Sequence, residues 1–343
     1  MEWTRGHVLG LGSSATVSAA ISTTGEVFAV KSVYMTKLES LQREQHFLTI
    51  LNSPYVVSYK GCDITNEDDK VMCNLMMEYM SQGTIIDALK RRNCGRFDEM
   101  VISSYIRQVV EGLEYIHSCG VVHCDIKGAN LLVSENNVKI ADFGCAKWVS
   151  ESVPFSGTPM FMAPEVARGE EQGFAADIWA LGCVLIELAT NSSPWTNATD
   201  PVSILYKIAY SDEIPHIPDM FSRKAKDFIA KCLIRDPKER WSASELLKHP
   251  FLTKRKNDKN MWTSSPTSIL DQDVWNTIEV PPSMGSHLIQ QKCSSKSLRP
   301  RVQELACDSE NPKWKMDFED QISWLVVRSN GSGGGLVSDD EWW

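Results

Sequence analysis

No stretch constrains this chain more than the one between His123 and Gly144. It opens as a loop, His123-Cys124-Asp125-Ile126-Lys127-Gly128-Ala129-Asn130, and runs into the apolar Leu131-Leu132-Val133. After Val138-Lys139-Ile140-Ala141 comes a second acid, in Asp142-Phe143-Gly144. One short loop thus carries a carboxylate, a cation and a neutral oxygen ligand, with a further carboxylate at the end of the next strand. Phosphoryl transfer asks for these parts: a carboxylate to orient a hydroxyl, positive charge on the transferring phosphate, and hard oxygen ligands for Mg²⁺. Asp125 is the candidate for the first, Lys127 for the second, and Asn130 with Asp142 for the third.

Upstream, Val8-Leu9-Gly10-Leu11-Gly12-Ser13-Ser14-Ala15-Thr16-Val17 reads as strand, glycine-rich turn, strand. Glycines let a backbone approach phosphates without a Cβ in the way, although a lone pair of them fits any hairpin. Phe28-Ala29-Val30-Lys31 follows, with Lys31 ending an apolar strand. A helix is expected over 38–51, its apolar positions Leu41, Phe47, Leu48 and Leu51 falling on one face. Glu44 is the candidate partner of Lys31, and Glu39 its rival. Asn52-Ser53-Pro54 breaks the helix. Strands are expected over 55–62 and 71–78, joined by the acidic turn Asn66-Glu67-Asp68-Asp69. From Thr84 the pattern turns helical, over 85–92 and 97–118, the latter with an apolar stripe of Val101, Tyr105, Val109, Leu113 and Ile116. Further helices are expected over 175–190, 204–210, 222–232 and 242–248, with Ser242 or Ser244 capping the last.

Together these motifs resemble those of the protein kinases. The resemblance implies an α+β, bilobal fold over 3–252: a small β-rich N-lobe to about residue 80 and a larger helical C-lobe from about 84. It implies ATP and Mg²⁺ as cofactors. Leu9, Gly10 and Gly12 would cover the phosphates, and Val17, Ala29 and Leu132 would face the adenine ring. Met77 would be the gatekeeper, with backbone groups of Glu78 and Met80 on the adenine edge. Lys31, held by Glu44, would position the phosphates. Asp125 and Lys127 would be catalytic, and Asn130 and Asp142 would hold the metal. Gly157-Thr158-Pro159 to Ala163-Pro164-Glu165 resembles the substrate-docking loop and its closing motif, with Thr158 bonding Asp125 or Lys127 and Glu165 pairing with Arg240. Asp177 would bond the catalytic-loop backbone. Lys127 with Thr158 is the serine/threonine arrangement.

Within that family the motifs are similar to those of mitogen-activated protein kinase kinase kinases, and the compact start at Met1-Glu2-Trp3 is similar to small plant MEKK-like members. That implies MAP kinase kinases as substrates, phosphorylated on their activation loops, in stress or hormone signalling. The alternative is a pseudokinase scaffold, which usually lacks one of the lysine, the metal aspartate or the catalytic aspartate; all are present here. The chain departs from the family at Ala15, Cys124, Phe161 and Trp241. Cys124 stands where an arginine usually receives an activation-loop phosphate. Activity is therefore expected to depend less on phosphorylation at Ser150, Ser152 or Ser156.

Composition narrows the setting. A net charge of −9 argues against general nucleic-acid or membrane-surface binding. None of the ten cysteines forms a C-x-x-C pair, so no zinc site is expected, and with no secretory leader in the sequence they are expected as reduced thiols of an intracellular, cytoplasmic protein. Beyond residue 252 the chain turns rich in Ser, Pro, Asn, Gln and Gly. This tail carries a basic run at 254–259, a candidate nuclear signal or a solvated boundary, and a glycine stretch at 331–335. It also holds tryptophans 262, 275, 314, 324, 342 and 343. It is expected to be mostly disordered, with 320–327 as a segment that docks back on the kinase or onto a partner.

Overall fold

The computed structural model describes residues 2–12, 15–35, 38–67, 70–91, 99–135, 137–195 and 200–253, together with the backbone of 325–327. The first lobe is an antiparallel sheet of β1 (Trp3–Leu11), β2 (Thr16–Ser22), β3 (Val27–Tyr34), β4 (Tyr59–Glu67) and β5 (Lys70–Glu78), in the order β1-β2-β3-β5-β4. Successive side chains on a strand alternate between faces, and cross-strand partners share one. Lys31 is opposite Val17 on β2 and Leu75 on β5, and Ala29 is opposite Met77. Val17, Ala29, Lys31, Leu75 and Met77 therefore share one face. Phe28, Val30 and Met76 take the other, where they form a separate apolar cluster with Trp3 and Ala20.

Helix α1 (Leu38–Ile50) buries Leu41, Glu44, Phe47 and Leu48. The strand expected over 55–62 begins instead at Tyr59 and runs to Glu67. Residues ahead of it are spent on the other lobe: Val57 N–H donates to the Ile140 carbonyl, and Ile140 N–H donates to that of Tyr55. Those two bonds tie the lobes together and take this stretch out of the sheet.

The second lobe opens with α2 (Ile85–Arg91) and α3 (Glu99–Ser118). On α3 the buried stripe includes Ile102, Ile106 and Val110 beside Tyr105, Val109, Leu113 and Ile116, whereas Val101 is only half-buried. Between α3 and the next helices lie two antiparallel strand pairs, one set inside the other. In one, β6 (Val121–Val122) pairs with β9 (Lys147–Trp148); in the other, β7 (Leu131–Ser134) pairs with β8 (Asn137–Ile140). The helices α4 (Pro164–Ala167), α5 (Phe174–Thr190), α6 (Pro201–Tyr210), α7 (Arg223–Cys232) and α8 (Ala243–Leu246) complete the lobe. Helix α5 is buried on nearly every side, as its apolar run requires.

Caps set the helix starts. The Asp200 carboxylate accepts from Val202 and Ser203 N–H and starts α6 three residues before the expected Ile204. Ser222 caps α7. Ser242, not Ser244, caps α8, in a reciprocal box with Glu245.

Beyond Thr253 only the strand β10 (Leu325–Val327) is described. It pairs antiparallel with β1, Trp3 opposite Val327 and Arg5 opposite Leu325, and makes the sheet six-stranded. The basic run, the tail tryptophans and the glycine stretch lie outside the described residues. Among the described residues no helix is long and apolar enough to cross a membrane.

Candidate active site

The site is built where the lobes meet. Lys31, at the half-buried end of its sheet face, donates from Nζ to Glu44 Oε2 at 2.6 Å and to Asp142 Oδ1 at 2.8 Å. Glu39, the rival partner, is exposed. Burial disfavours the Lys31 ammonium, but the Glu44 and Asp142 carboxylates outweigh it and hold its pKa above the ordinary range. Asp142 is also penalised by burial, yet Lys31 holds its carboxyl below the usual carboxylate range. Both groups are charged at neutral pH.

Asp142 adopts φ 64°, in the left-handed region that side chains other than glycine rarely enter. Phe143 secures it. That ring is fully buried and meets the His123 ring edge-on at 4.8 Å, while His123 Nε2 lies 3.0 Å from the Ala141 carbonyl. Cys124 is the second strained residue, at φ 68°. The buried Asp177 carboxylate holds it there, accepting from both His123 N–H and Cys124 N–H at 2.9 Å.

Asp125 is the hub. Its Oδ1 accepts from Thr158 N–H at 2.9 Å and from Thr158 Oγ1 at 2.7 Å; its Oδ2 accepts from Lys127 Nζ at 2.8 Å and Asn130 Nδ2 at 3.2 Å. Lys127 also donates to Thr158 Oγ1 at 2.9 Å. Thr158 thus bonds both Asp125 and Lys127, the two partners that the resemblance offered. The Asn130 amide is fixed by a 2.8 Å bond to the Asp125 carbonyl. That commits its NH₂ and reserves its oxygen as a ligand atom.

Asn130 and Asp142 fit magnesium. Both offer hard oxygens, the Asp142 side chain is 42% exposed, and Mg²⁺ in phosphoryl-transfer sites takes only one or two protein oxygens, with water and phosphate completing its shell. Among the described residues no group of three or more His, Cys, Asp or Glu forms a self-sufficient metal cage.

The residues expected around the nucleotide fall on or next to β1, β2, β3, β5 and β7. Leu9 and Gly10 are exposed on β1, and Gly12 closes the turn through its N–H to the Ala15 carbonyl at 2.8 Å. Val17, Ala29 and Met77 share the face of Lys31, and Leu132 on β7 is bridged to Thr84. At the hinge, Glu78 N–H is taken by the Ser58 carbonyl and Met80 O by Gly83 N–H. Lys139 holds the Glu78 carboxylate at 2.7 Å.

Away from the nucleotide side, Arg240 grips Glu165 in a two-point pair at 2.7 and 3.0 Å, with both side chains buried. Two further contacts had no counterpart in the sequence reading. Arg43, beside Glu44 on α1, donates to Glu151 Oε1 and to the Ala146 carbonyl, both at 3.3 Å. Gln172 bridges the activation segment to the catalytic loop. Neither belongs to a local motif, so no spacing in the sequence announces it.

Comparison with known proteins agrees with this geometry. The family described as "Protein kinase domain" matches residues 3–252. The chain is 46% identical over 346 residues to mitogen-activated protein kinase kinase kinase 18 of Arabidopsis thaliana, covering 96% of this chain and 100% of that protein. It is 50% identical over 292 residues to mitogen-activated protein kinase kinase kinase 17 of the same plant, covering 81% of this chain and 78% of that one. With mitogen-activated protein kinase kinase kinase A of Dictyostelium discoideum it shares 37% identity over 79% of this chain and 30% of that protein.

Proposed function

The chain belongs to the protein kinase family, as a serine/threonine kinase of the MAP kinase kinase kinase type, and on that premise we propose that it moves the γ-phosphoryl group of ATP to a serine or threonine in the activation loop of MAP kinase kinases, in plant stress or hormone signalling. The proposal gives the protein a cytoplasmic setting, where such cascades run.

The observation that carries it is the convergence on Asp125. A carboxylate has about four acceptor sites, and here Thr158 (twice), Lys127 and Asn130 occupy them. An incoming hydroxyl takes the place of the Thr158 hydroxyl, the only hydroxyl among these donors. Asp125 then orients that hydroxyl and accepts its proton as the oxygen–phosphorus bond forms. Lys127 stays on the developing negative charge. Lys31, fixed by Glu44, aligns the phosphates, and Asn130 and Asp142 are the residues that would hold Mg²⁺. When bound, the metal would neutralise charge on the phosphate oxygens. A scaffold without chemistry has no use for four groups held in this register.

The test is transfer from labelled ATP·Mg²⁺ to a panel of kinase-dead MAP kinase kinases, with Asp125→Asn in parallel. Labelling of a panel member that vanishes in the variant is the expected result. Nucleotide binding without any transfer would sink the proposal.

A further inference from the structure

The activation segment has to lie on the catalytic loop for Thr158 to reach Asp125. The approach is very close: a Cβ on Gly157 would sit 2.3 Å from the Cys124 carbonyl oxygen, and Gly157 takes φ +119° to make it. Two backbones pressed together this way leave polar groups that need partners. One side chain supplies three of them. Gln172 Oε1 accepts from Ser156 N–H at 3.3 Å, and Gln172 Nε2 donates to the Ser156 carbonyl at 3.1 Å and the Cys124 carbonyl at 3.4 Å. Gln172 is 6% exposed. It is itself held between α4, whose Glu165 is locked to Arg240, and the start of α5 at Phe174.

Among the described residues, no free cation lies in the same place for a phosphate to gather. Position 124 is a buried thiol, pushed up by burial and by the nearby Asp177 carboxylate, and so neutral. Lys147 donates to the Glu151 carbonyl at 3.1 Å, Arg43 is paired with the Glu151 carboxylate, and Lys127 is on Asp125. A phosphate orders a segment by collecting such cations; here they are already engaged.

We propose that Gln172 is a positioning residue, an uncharged clamp that seats Ser156–Thr158 on the catalytic loop and so sustains turnover without a phosphate on the activation segment. This rests on the kinase reading above. A primary amide suits the task because it alone offers an acceptor and two donors in one plane. Glutamate has the same length and volume but no donor, and would set a carboxylate against two carbonyl oxygens.

The experiment uses the full chain, treated with a phosphatase and checked for loss of phosphate, as wild type, Gln172→Ala and Gln172→Glu. Steady-state rates on a MAP kinase kinase acceptor give kcat and KM separately, and amide hydrogen exchange follows Ser156. Dephosphorylated wild type is expected to keep most of its activity. Both variants are expected to lose about tenfold or more in kcat, as misplaced reacting groups do, with KM for ATP within about twofold. Ser156 exchange should speed up in Gln172→Ala. If Gln172→Ala fails to fold, the volume-conserving Gln172→Glu still decides. A Gln172→Glu enzyme with wild-type kcat would overturn the clamp, and so would a wild type that dephosphorylation silences. Should wild type transfer no phosphate at all, the kinase reading fails, and unchanged Ser156 exchange in Gln172→Ala would separately remove the clamp.

Discussion

Arg43 Nη1 lies 3.3 Å from Glu151 Oε1, so the helix that carries Glu44 is tied to the activation segment one residue from its catalytic ion pair. Both side chains are partly exposed, at 29% and 33%. A pair so placed contributes at most about 1 kcal/mol to stability and weakens in salt. Its leverage is on position. Glu151→Ala should leave the melting temperature nearly unchanged and lower kcat about fivefold, the size of a coupling near 1 kcal/mol. An unchanged kcat at low salt would show that α1 does not need the tie.

The Lys31–Glu44–Asp142 cluster governs phosphate alignment. Lys31→Ala is expected to cut kcat/KM by about 100-fold or more, as loss of a preorganised charge does, and Glu44→Gln by less, since Asp142 still holds the lysine. With Lys31 raised above its ordinary range and Asp142 lowered below its own, both stay charged from about pH 5 to pH 9. The stability that Lys31 adds is lost only as pH rises past its raised value, and that of Asp142 only as pH falls through its lowered one. A pH profile of kcat/KM should therefore show no limb in that window that Lys31→Ala or Asp142→Asn removes.

Arg240 and Glu165 form a buried pair, and Arg240 also donates to the carbonyls of Ile234, Ala175 and Arg235. Removing one partner strands the other. Arg240→Ala should cost about 3–5 kcal/mol in denaturant unfolding. Arg240→Lys should recover little of it, because an ammonium cannot make the two-point contact. A loss below 1 kcal/mol in Arg240→Ala would mean the pair is not closed in solution.

Gly157 is a steric requirement. Alanine there meets both φ +119° and a carbonyl oxygen at 2.3 Å. Gly157→Ala should lift the segment from the loop and lower kcat about 100-fold, while nucleotide affinity, set by the other side of the cleft, is retained. Wild-type turnover in this variant would show that the close approach is dispensable.

Thiol reactivity reports the packing of the catalytic loop. Cys62 and Cys119 are exposed, whereas Cys124, Cys183 and Cys232 are buried and burial pushes those three thiols up. Since the thiolate is the reactive form, alkylation of the native protein should label Cys62 and Cys119 and spare the other three, as read by peptide mass spectrometry. Labelling of Cys124 at the rate of Cys62 would contradict the buried loop described here.

Much of this was legible in the chain, and for a physical reason. Asp125, Lys127 and Asn130 lie within six residues of one another, Asp142 follows after a single strand, and the chemistry that needs them leaves few other spacings open. Alternation and helical period located most elements, with errors where capping or lobe contacts intervened, as at Asp200 and at Tyr55 to Ser58. Spacing from Lys31 and the Leu-x-x-Leu pattern already favoured Glu44 over Glu39, and the packing of α1 agrees, burying the one and exposing the other. Gln172 and Cys124 are 48 residues apart, and Arg43 and Glu151 are separated by 108. Contacts of that range follow no period and repeat no motif. They exist because tertiary packing brings two stretches of backbone close enough that their polar groups must find a partner, and in this protein the nearest partners are an amide and a carboxylate.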